Sequence, residues 1–144
     1  MKILYENINI SHKKSFNILK NNLSSNVISD INHPLNIYNG ELNFLKELNL
    51  CKENDIIGTV ISRIAGNIVP HNDSIYEYKR KVYLLVLDVS FSNQHVDSQK
   101  QPFLFEGNKF LKIKKGDLIE FNQFKEHALF WDKRIDIATF WTYR

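Results

Sequence analysis

The sequence contains a single cysteine, Cys51, among its 144 residues. This excludes an internal disulfide and a zinc site built from several cysteines. The chain also lacks a run of about 18 apolar residues, the length that a membrane-spanning helix requires. Its first ten residues are polar and mixed, without the charged start and apolar stretch of a secretory signal. These absences predict a cytoplasmic protein in a reducing setting, with no membrane partner.

The sequence also lacks a large excess of charge of either sign. The 19 Lys and Arg residues against 16 Asp and Glu residues give a net charge of +3, and the lysines are scattered. Without a basic arm or stripe, no nucleic-acid partner is predicted. No internal repeat, low-complexity tract or linker is evident. The sequence therefore predicts one domain over 1–144, with a helical N-terminal part (1–54) and a β core (55–144).

Two helical patterns precede the β part. A helix over 11–24 is predicted because apolar residues recur at helical spacing behind the capping residue Ser11. A second short pattern follows Gly40, with three leucines on one face. These leucines are Leu42, Leu45 and Leu48. Both patterns are too short to form a separate domain, so these one or two helices are predicted to pack outside the sheet.

The residue pattern of the sequence changes from helical to strand-like spacing at Asp55. Short β-branched and aromatic runs then follow one another, separated by Gly, Asn, Asp and Lys. They predict eight strands, near 56–63, 66–71, 80–89, 102–106, 109–113, 117–122, 126–131 and 134–142. Many short, evenly spaced strands favour a mainly β fold of the sandwich, barrel or jelly-roll type.

The segment Val69-Pro70-His71-Asn72-Asp73 carries the strongest chemical signal. In an extended chain, residues two apart point to the same side, so His71 and Asp73 can aim an imidazole nitrogen and a carboxylate at one point. His127 follows 54 residues later at the start of another predicted strand and can supply a third ligand. Two histidines and one carboxylate form the facial triad of non-haem iron(II) enzymes, which leaves three coordination positions open.

Simpler interpretations compete with this one. An isolated His-x-Asp occurs often by chance, and a lone histidine on a strand is usually a surface or hydrogen-bonded residue. The surroundings of His127 favour the metal site, because a Gly116-Asp117 turn, an apolar strand and a short polar loop precede it. That order is what a barrel needs to turn the third ligand inward.

Residues 56–142 resemble the 2-oxoglutarate and iron(II)-dependent oxygenases, and within them the aspartyl/asparaginyl β-hydroxylase-like group. The resemblance rests on 63–73 (RIAGNIVPHND), on Arg80 leading an apolar strand, on Gly116-Asp117 followed by His127, and on Arg134 leading the last strand. It implies a double-stranded β-helix (a cupin-like jelly roll), Fe(II) and 2-oxoglutarate as cofactors, dioxygen as oxidant, and hydroxylation of a C–H bond. Some members of that group have Gly where this chain has Asp73. The Asp completes the triad and argues against a halogenase, which vacates this position.

Arginine suits the distant carboxylate of 2-oxoglutarate because its planar fork binds a carboxylate through two hydrogen bonds. Residues 127–131 and 134–138 are predicted to form a hairpin, which would place Arg134 opposite Trp131 and on the face of His127. Arg134 is thus the first candidate anchor, and it matches the carboxylate-binding arginine of the family. Arg80 is the second candidate, at the spacing from His71 where the resembled group places another such arginine. Asp136 shares the predicted face of Arg134 and could receive a substrate ammonium or pair with Arg134 itself.

Three alternatives remain open at the level of sequence. A cupin-type metalloprotein that does not use 2-oxoglutarate would keep the metal ligands, but Arg134 would have no reason to face them. A non-catalytic jelly roll that binds a small molecule would need no metal. A third alternative is an oxygenase that acts on nucleic-acid bases, but the modest net charge gives it little support. A minimal barrel suggests a small substrate, and analogy with the family suggests an amino acid or an amino-acid side chain. No sequence feature predicts an oligomeric state.

Overall fold

The computed structural model describes residues 1–8, 36–39, 44–65, 67–91 and 101–143. The described elements are ten strands, one short α-helix and one 3-10 turn. In chain order they are β1 (Lys2–Tyr5), β2 (Asn36–Asn39), α1 (Phe44–Glu47), β3 (Ile57–Ala65), β4 (Ile68–His71), the 3-10 turn (Ser74–Tyr76), β5 (Lys79–Val89), β6 (Phe103–Glu106), β7 (Lys109–Lys112), β8 (Leu118–Phe121), β9 (His127–Phe130) and β10 (Arg134–Tyr143).

The strands form two antiparallel sheets. One has the order β1-β8-β5-β10-β3-β2 and the other the order β4-β9-β6-β7. From β3 onward the pairing is nested, since β6 pairs with β7, β5 with β8, β4 with β9 and β3 with β10. From β3 onward the chain thus forms one long antiparallel hairpin that coils into a barrel. The pairings of β5 with β10 and of β6 with β9 join successive turns of this coil. This is a double-stranded β-helix, so the predicted mainly β jelly-roll fold is confirmed.

A core of aliphatic side chains fills the space between the two sheets. Alternation along each strand aims every second residue inward, and residues of both sheets meet there. The larger sheet contributes Leu84, Val86 and Ile137, and the smaller sheet contributes Leu104 and Leu129. All five are buried, so the two sheets are held by the exclusion of apolar surface from water.

A second apolar cluster covers the outer face of the larger sheet. Tyr83, Leu85 and Phe140 project outward and are buried because Leu45 of α1 and the turn after it lie over them. The outside placement predicted for the second helical pattern is therefore confirmed. Both faces of the larger sheet are buried, which explains why β5 and β10 read as nearly continuous apolar runs.

All eight strands predicted from the sequence are present, with ends within two residues of the predicted ones. The predicted helix over 11–24 lies outside the described residues. The N-terminal part also contributes strands β1 and β2, which the sequence did not predict, at the two edges of the larger sheet. Each has four residues, and its pairing with β8 or β3 rather than its own pattern makes it a strand. No helix of the described residues is long and apolar enough to cross a membrane.

Candidate metal centre

The two predicted histidine ligands face each other across a strand pair. His71 ends β4, His127 begins β9, and the antiparallel register makes them direct partners. Their ring centroids are 4.4 Å apart, at an interplanar angle of 64°. Cross-strand partners project to the same side of a sheet, so the register alone places both imidazoles together.

Asp73 completes the group from the loop after β4. Its Oδ1 lies 3.5 Å from His71 Nε2 and its Oδ2 lies 3.2 Å from His127 Nε2. The alternation of an extended chain predicts that His71 and Asp73 point to the same side, but Asp73 lies beyond the end of β4, immediately before the 3-10 turn. The Asp73 N–H donates to the Gln123 carbonyl at 2.8 Å, which holds the loop against the segment before β9. The three side chains therefore converge as predicted, through a loop rather than through strand alternation.

The tautomers of both histidines follow from their hydrogen bonds. Nδ1 of His71 donates to the Val69 carbonyl at 2.8 Å, and Nδ1 of His127 donates to the Lys125 carbonyl at 2.8 Å. A carbonyl oxygen can only accept, so each Nδ1 carries a proton and each neutral ring presents its Nε2 lone pair. Backbone carbonyls are common partners for the second nitrogen of metal-binding histidines, because they fix both tautomer and ring orientation.

The donor set fits a metal ion. The three ligand atoms lie within 4.8 Å of one another, and two neutral imidazoles with one carboxylate suit a divalent transition metal. His71 Nε2 is buried and has no hydrogen-bond partner among the described residues. A buried acceptor without a partner is costly in a folded protein, and a metal ion would satisfy it. The described residues therefore contain a group that could bind a metal.

Electrostatics favour a positive charge beside His127. Burial acts to lower the pKa of His127, but the hydrogen bonds to Asp73 and the Lys125 carbonyl, together with the charges of Asp73 and Glu106, outweigh it. The pKa of His127 therefore lies above its ordinary value. Glu106 is itself buried and is the cross-strand partner of His127. The carboxylates that would favour the proton would equally favour a cation bound at Nε2.

A cavity of about 440 Å³ opens beside the three ligands, and all three line it. Most of its wall is apolar and comes from the inter-sheet core, with Leu84, Leu104 and Leu129 among the lining residues. Its polar lining comes from Ser62, Thr139, three tyrosines (Tyr76, Tyr78 and Tyr143) and Lys79. A concave, mostly apolar site with a few polar groups is typical of small-molecule sites.

Arg134 and Asp136 lie away from this cavity. The predicted hairpin is wrong, because β9 belongs to the smaller sheet and β10 to the larger one. On β10, Ile135 and Ile137 project inward into the core between the sheets. Arg134 and Asp136 alternate with them along the strand, so their side chains project to the other face. There Arg134 Nη2 donates to Asp88 Oδ2 at 2.9 Å, and its Nη1 lies 3.9 Å from Asp136 Oδ2. Neither residue lines the cavity, so neither prediction of a cavity role is supported.

Arg80 is exposed and does not line the cavity either. Regular alternation from Val82 would have aimed it inward. However, β5 carries a bulge where it pairs with the end of β10, since Trp141 pairs with Val82 and Tyr143 pairs with Lys79. The extra residue on β5 reverses the alternation. Lys79 therefore faces the cavity, and Arg80, which the resemblance made the second candidate anchor, does not.

Sequence reasoning missed two residues that shape the site. Gln123 is buried, and its Nε2 donates to the carbonyls of Tyr76 and Lys79 at 3.1 Å each, which ties the loop with Asp73 to the barrel. Lys79 lines the cavity, and its Nζ lies 4.2 Å from the ring centroids of both Tyr76 and Trp141. Gln123 stands in a polar loop without a distinguishing signal. Lys79 belongs to a Lys-Arg-Lys run that is typical of a solvated strand end.

Comparison with known proteins gives only distant similarity. No protein-family model matches the chain, and no curated protein is significantly similar to it in sequence. A cupin-2 domain protein from Shewanella frigidimarina shares 11% identity at a TM-score of 0.43, over 69% of this chain and 92% of that chain. An RmlC-like cupin from Desulfovibrio desulfuricans shares 13% identity at a TM-score of 0.42, over 84% and 92%. A cupin superfamily protein from Desulfitobacterium hafniense shares 9% at 0.43, over 78% and 82%. At such scores the fold rests on the strand pairing itself, and function must be argued from the site.

Proposed function

We propose that this protein is a mononuclear non-haem iron(II) oxygenase that uses 2-oxoglutarate and hydroxylates a C–H bond of a small substrate. An amino acid or an amino-acid side chain is the proposed substrate class, by the family resemblance of the sequence. The observation that carries the proposal is the convergence of two imidazole Nε2 lone pairs and one carboxylate on the wall of an apolar cavity. The buried Nε2 of His71, which has no hydrogen-bond partner among the described residues, strengthens it.

The chain's own residues would divide the work as follows. His71, Asp73 and His127 would hold the iron, which would supply the activation of dioxygen when bound. The carbonyls of Val69 and Lys125 place the proton of each neutral imidazole on Nδ1, which would leave both Nε2 atoms free to bind the ion. The aliphatic wall of the cavity would exclude water from the reacting groups and position the substrate C–H bond.

Three protein ligands would leave positions for a chelating 2-oxo acid, which supports 2-oxoglutarate as the co-substrate. The residue resemblance over 63–73 and around His127 supports it independently. Arg134 is no longer proposed as the anchor of the second carboxylate, because it pairs with Asp88 on the opposite face.

Anaerobic titration of the iron(II)-loaded protein with 2-oxoglutarate tests this function directly. A saturable visible charge-transfer band, lost in His71→Ala and in Asp73→Ala, is the expected result. Glu126→Ala is the matched control, because Glu126 is an exposed carboxylate beside His127 that is not among the three ligands. Iron bound at one equivalent in all the ligand variants would contradict the proposed centre.

Arg134 lies outside the cavity, and this favours a second candidate function. The second candidate is a cupin-type metalloprotein that does not use 2-oxoglutarate. Such a protein would keep the three ligands and need no arginine in the cavity. It would bind one equivalent of metal but give no charge-transfer band with 2-oxoglutarate. The same titration therefore separates the two functions.

A further inference from the structure

Lys79 places a cation inside the cavity of the candidate metal centre. The bulge in β5 aims its side chain inward, and the residue lines the cavity together with His71, Asp73 and His127. Among the described residues, no other lysine or arginine lines this cavity. Any anionic ligand that enters would therefore meet this ammonium.

The ammonium is held by aromatic rings. Its Nζ lies 4.2 Å from the centroid of the Tyr76 ring and 4.2 Å from that of the Trp141 ring. Tyr76 ends the 3-10 turn, three residues before Lys79 begins β5. Two hydrogen bonds from the Gln123 amide to the carbonyls of Tyr76 and Lys79 hold this connection in place. Cation–π contacts on two rings orient the ammonium but do not neutralise its charge.

Its charge is left without an ion pair. No carboxylate lies within ion-pair distance of Lys79 among the side chains that the structure describes. Burial lowers the pKa of Lys79, and the more distant charge of Asp73 opposes that effect. A partly buried ammonium gains most from an anion that enters the same cavity.

Trp141, which lines the cavity beside Lys79, carries a second donor. Trp141 is 2% exposed, and its indole Nε1 is buried, with no hydrogen-bond partner in the part of the chain that the structure describes. The indole lies over Gly58, its direct cross-strand partner, where any Cβ would overlap the ring. The chain thus packs an indole closely against a glycine in the wall that also holds Lys79. The ammonium of Lys79 is a donor, and a carboxylate is acceptor-only when ionised.

We propose that Lys79, with Trp141 beside it, is the carboxylate-binding group of this cavity and selects small carboxylic acids as ligands. The proposal deepens the proposed function and rests on it for the choice of ligands, but capture of a carboxylate by Lys79 requires no metal. The carboxylate belongs either to a 2-oxo acid co-substrate or to an amino-acid-like substrate. Both sources present the same chemistry to Lys79.

Binding can be followed through the fluorescence of Trp141, which lies against Lys79. The only other tryptophan, Trp131, is replaced by Phe in all proteins so that one reporter remains. The full-length protein is titrated without metal and again with redox-silent Mn(II). The probes are 2-oxoglutarate, 2-oxopentanoate (which lacks the second carboxylate) and glutamate.

Lys79→Met is expected to weaken binding of at least one probe by about 10- to 100-fold, the range for one hydrogen bond to a charged group. Lys79→Arg should restore most of the affinity because it restores the charge. The matched control is Lys81→Met, since Lys81 lies on the same strand, is exposed and does not line the cavity. Its affinities should equal those of the parent. Circular dichroism and thermal unfolding confirm that each variant is folded.

The outcomes separate the two sources and the two proposals. A Lys79 effect on 2-oxoglutarate that is absent for 2-oxopentanoate assigns the second carboxylate of the co-substrate. An effect on glutamate, with no binding of 2-oxoglutarate, assigns a substrate carboxylate and supports Lys79 while contradicting the co-substrate. Parent affinities in Lys79→Met, or no binding of any probe by the parent, would overturn the Lys79 proposal. Neither of these last results depends on iron binding, which the charge-transfer titration measures separately.

Discussion

Substituting His71 by alanine tests the metal centre with little disturbance of the barrel. Without metal, the substitution removes the hydrogen bond from Nδ1 to the Val69 carbonyl, worth about 1 kcal/mol. It also removes a buried Nε2 for which the described residues offer no hydrogen-bond partner, and such an atom costs about 1–3 kcal/mol. These two terms oppose each other. The melting temperature of the metal-free variant should therefore equal the parent's or exceed it by up to about 6 °C, at roughly 3 °C per kcal/mol for this length.

With metal, parent and variant should separate. Iron(II) at a hundred times its dissociation constant stabilises the parent by about 2.7 kcal/mol, which raises its melting temperature by about 8 °C. Loss of one of three ligands should weaken binding at least as much as loss of an outer partner does, about 100-fold at the upper end. At the same iron concentration the variant then gains about 0.4 kcal/mol, or about 1 °C.

Anaerobic thermal unfolding followed by circular dichroism measures both shifts. Glu126→Ala, which removes an exposed carboxylate next to His127, should keep the full rise and so controls for binding at the surface. An equal iron-induced rise in His71→Ala and the parent would refute the assignment of His71 as a ligand. Absence of any rise in the parent would refute the centre as a whole.

Four further predictions concern the barrel and the loop that holds the site. Gly58→Ala should destabilise the protein by about 1–3 kcal/mol in urea unfolding, because the added Cβ overlaps the Trp141 ring; stability equal to the parent's would show that the ring can move aside. Phe140→Ala should cost about 3–5 kcal/mol in the same assay, since the ring is fully buried on the outer face of the larger sheet, and a loss below 1 kcal/mol would contradict that packing. Gln123→Ala should lower iron affinity by about 10- to 100-fold in a competition assay with a chelator, because the loop after β4 loses two hydrogen bonds; unchanged affinity would mean that the loop is held otherwise. Iron affinity should also fall as the pH drops through the raised pKa of His127, because the metal binds the neutral ring and the proton competes for it. An iron affinity that does not change between pH 8 and pH 6 would count against His127 as a ligand.

The eight core strands could be predicted because each carries its own signal. Runs such as 82–87 and 137–141 are apolar and β-branched or aromatic, and polar turns such as Gly107 and Gly116 separate them; both glycines have positive φ. The strands β1 and β2 carry no such signal. They are short edge strands whose order comes from hydrogen bonds to β8 and β3, which a local reading cannot detect.

The ligand group was predictable for a related reason. His71 and Asp73 are close in sequence, and His127 follows a turn and a strand that were both recognised. The register between β4 and β9 then places the two histidines opposite each other. The residues were identified correctly as neighbours, although Asp73 reaches the site through a loop.

The cationic side chains could not be assigned from the sequence. Alternation decides which side chains face a cavity, and a single extra residue in a strand reverses it. The bulge in β5 moves Lys79 inward and Arg80 outward, and nothing in the Lys-Arg-Lys run indicates it. Similarly, the short connection after Trp131 predicts a hairpin within one sheet, whereas in the structure it crosses from one sheet to the other.

The sequence by itself thus determined the eight core strands, the jelly-roll class and the three candidate metal ligands, because local patterns and spacings encode them. Only the tertiary structure decided the face of each cation, the outer pairing of Arg134 with Asp88, and the aromatic contacts of Lys79. Those features depend on strand register and on which sheet each strand joins. Register is fixed by contacts between residues far apart in the chain, so it has no signature in any one segment.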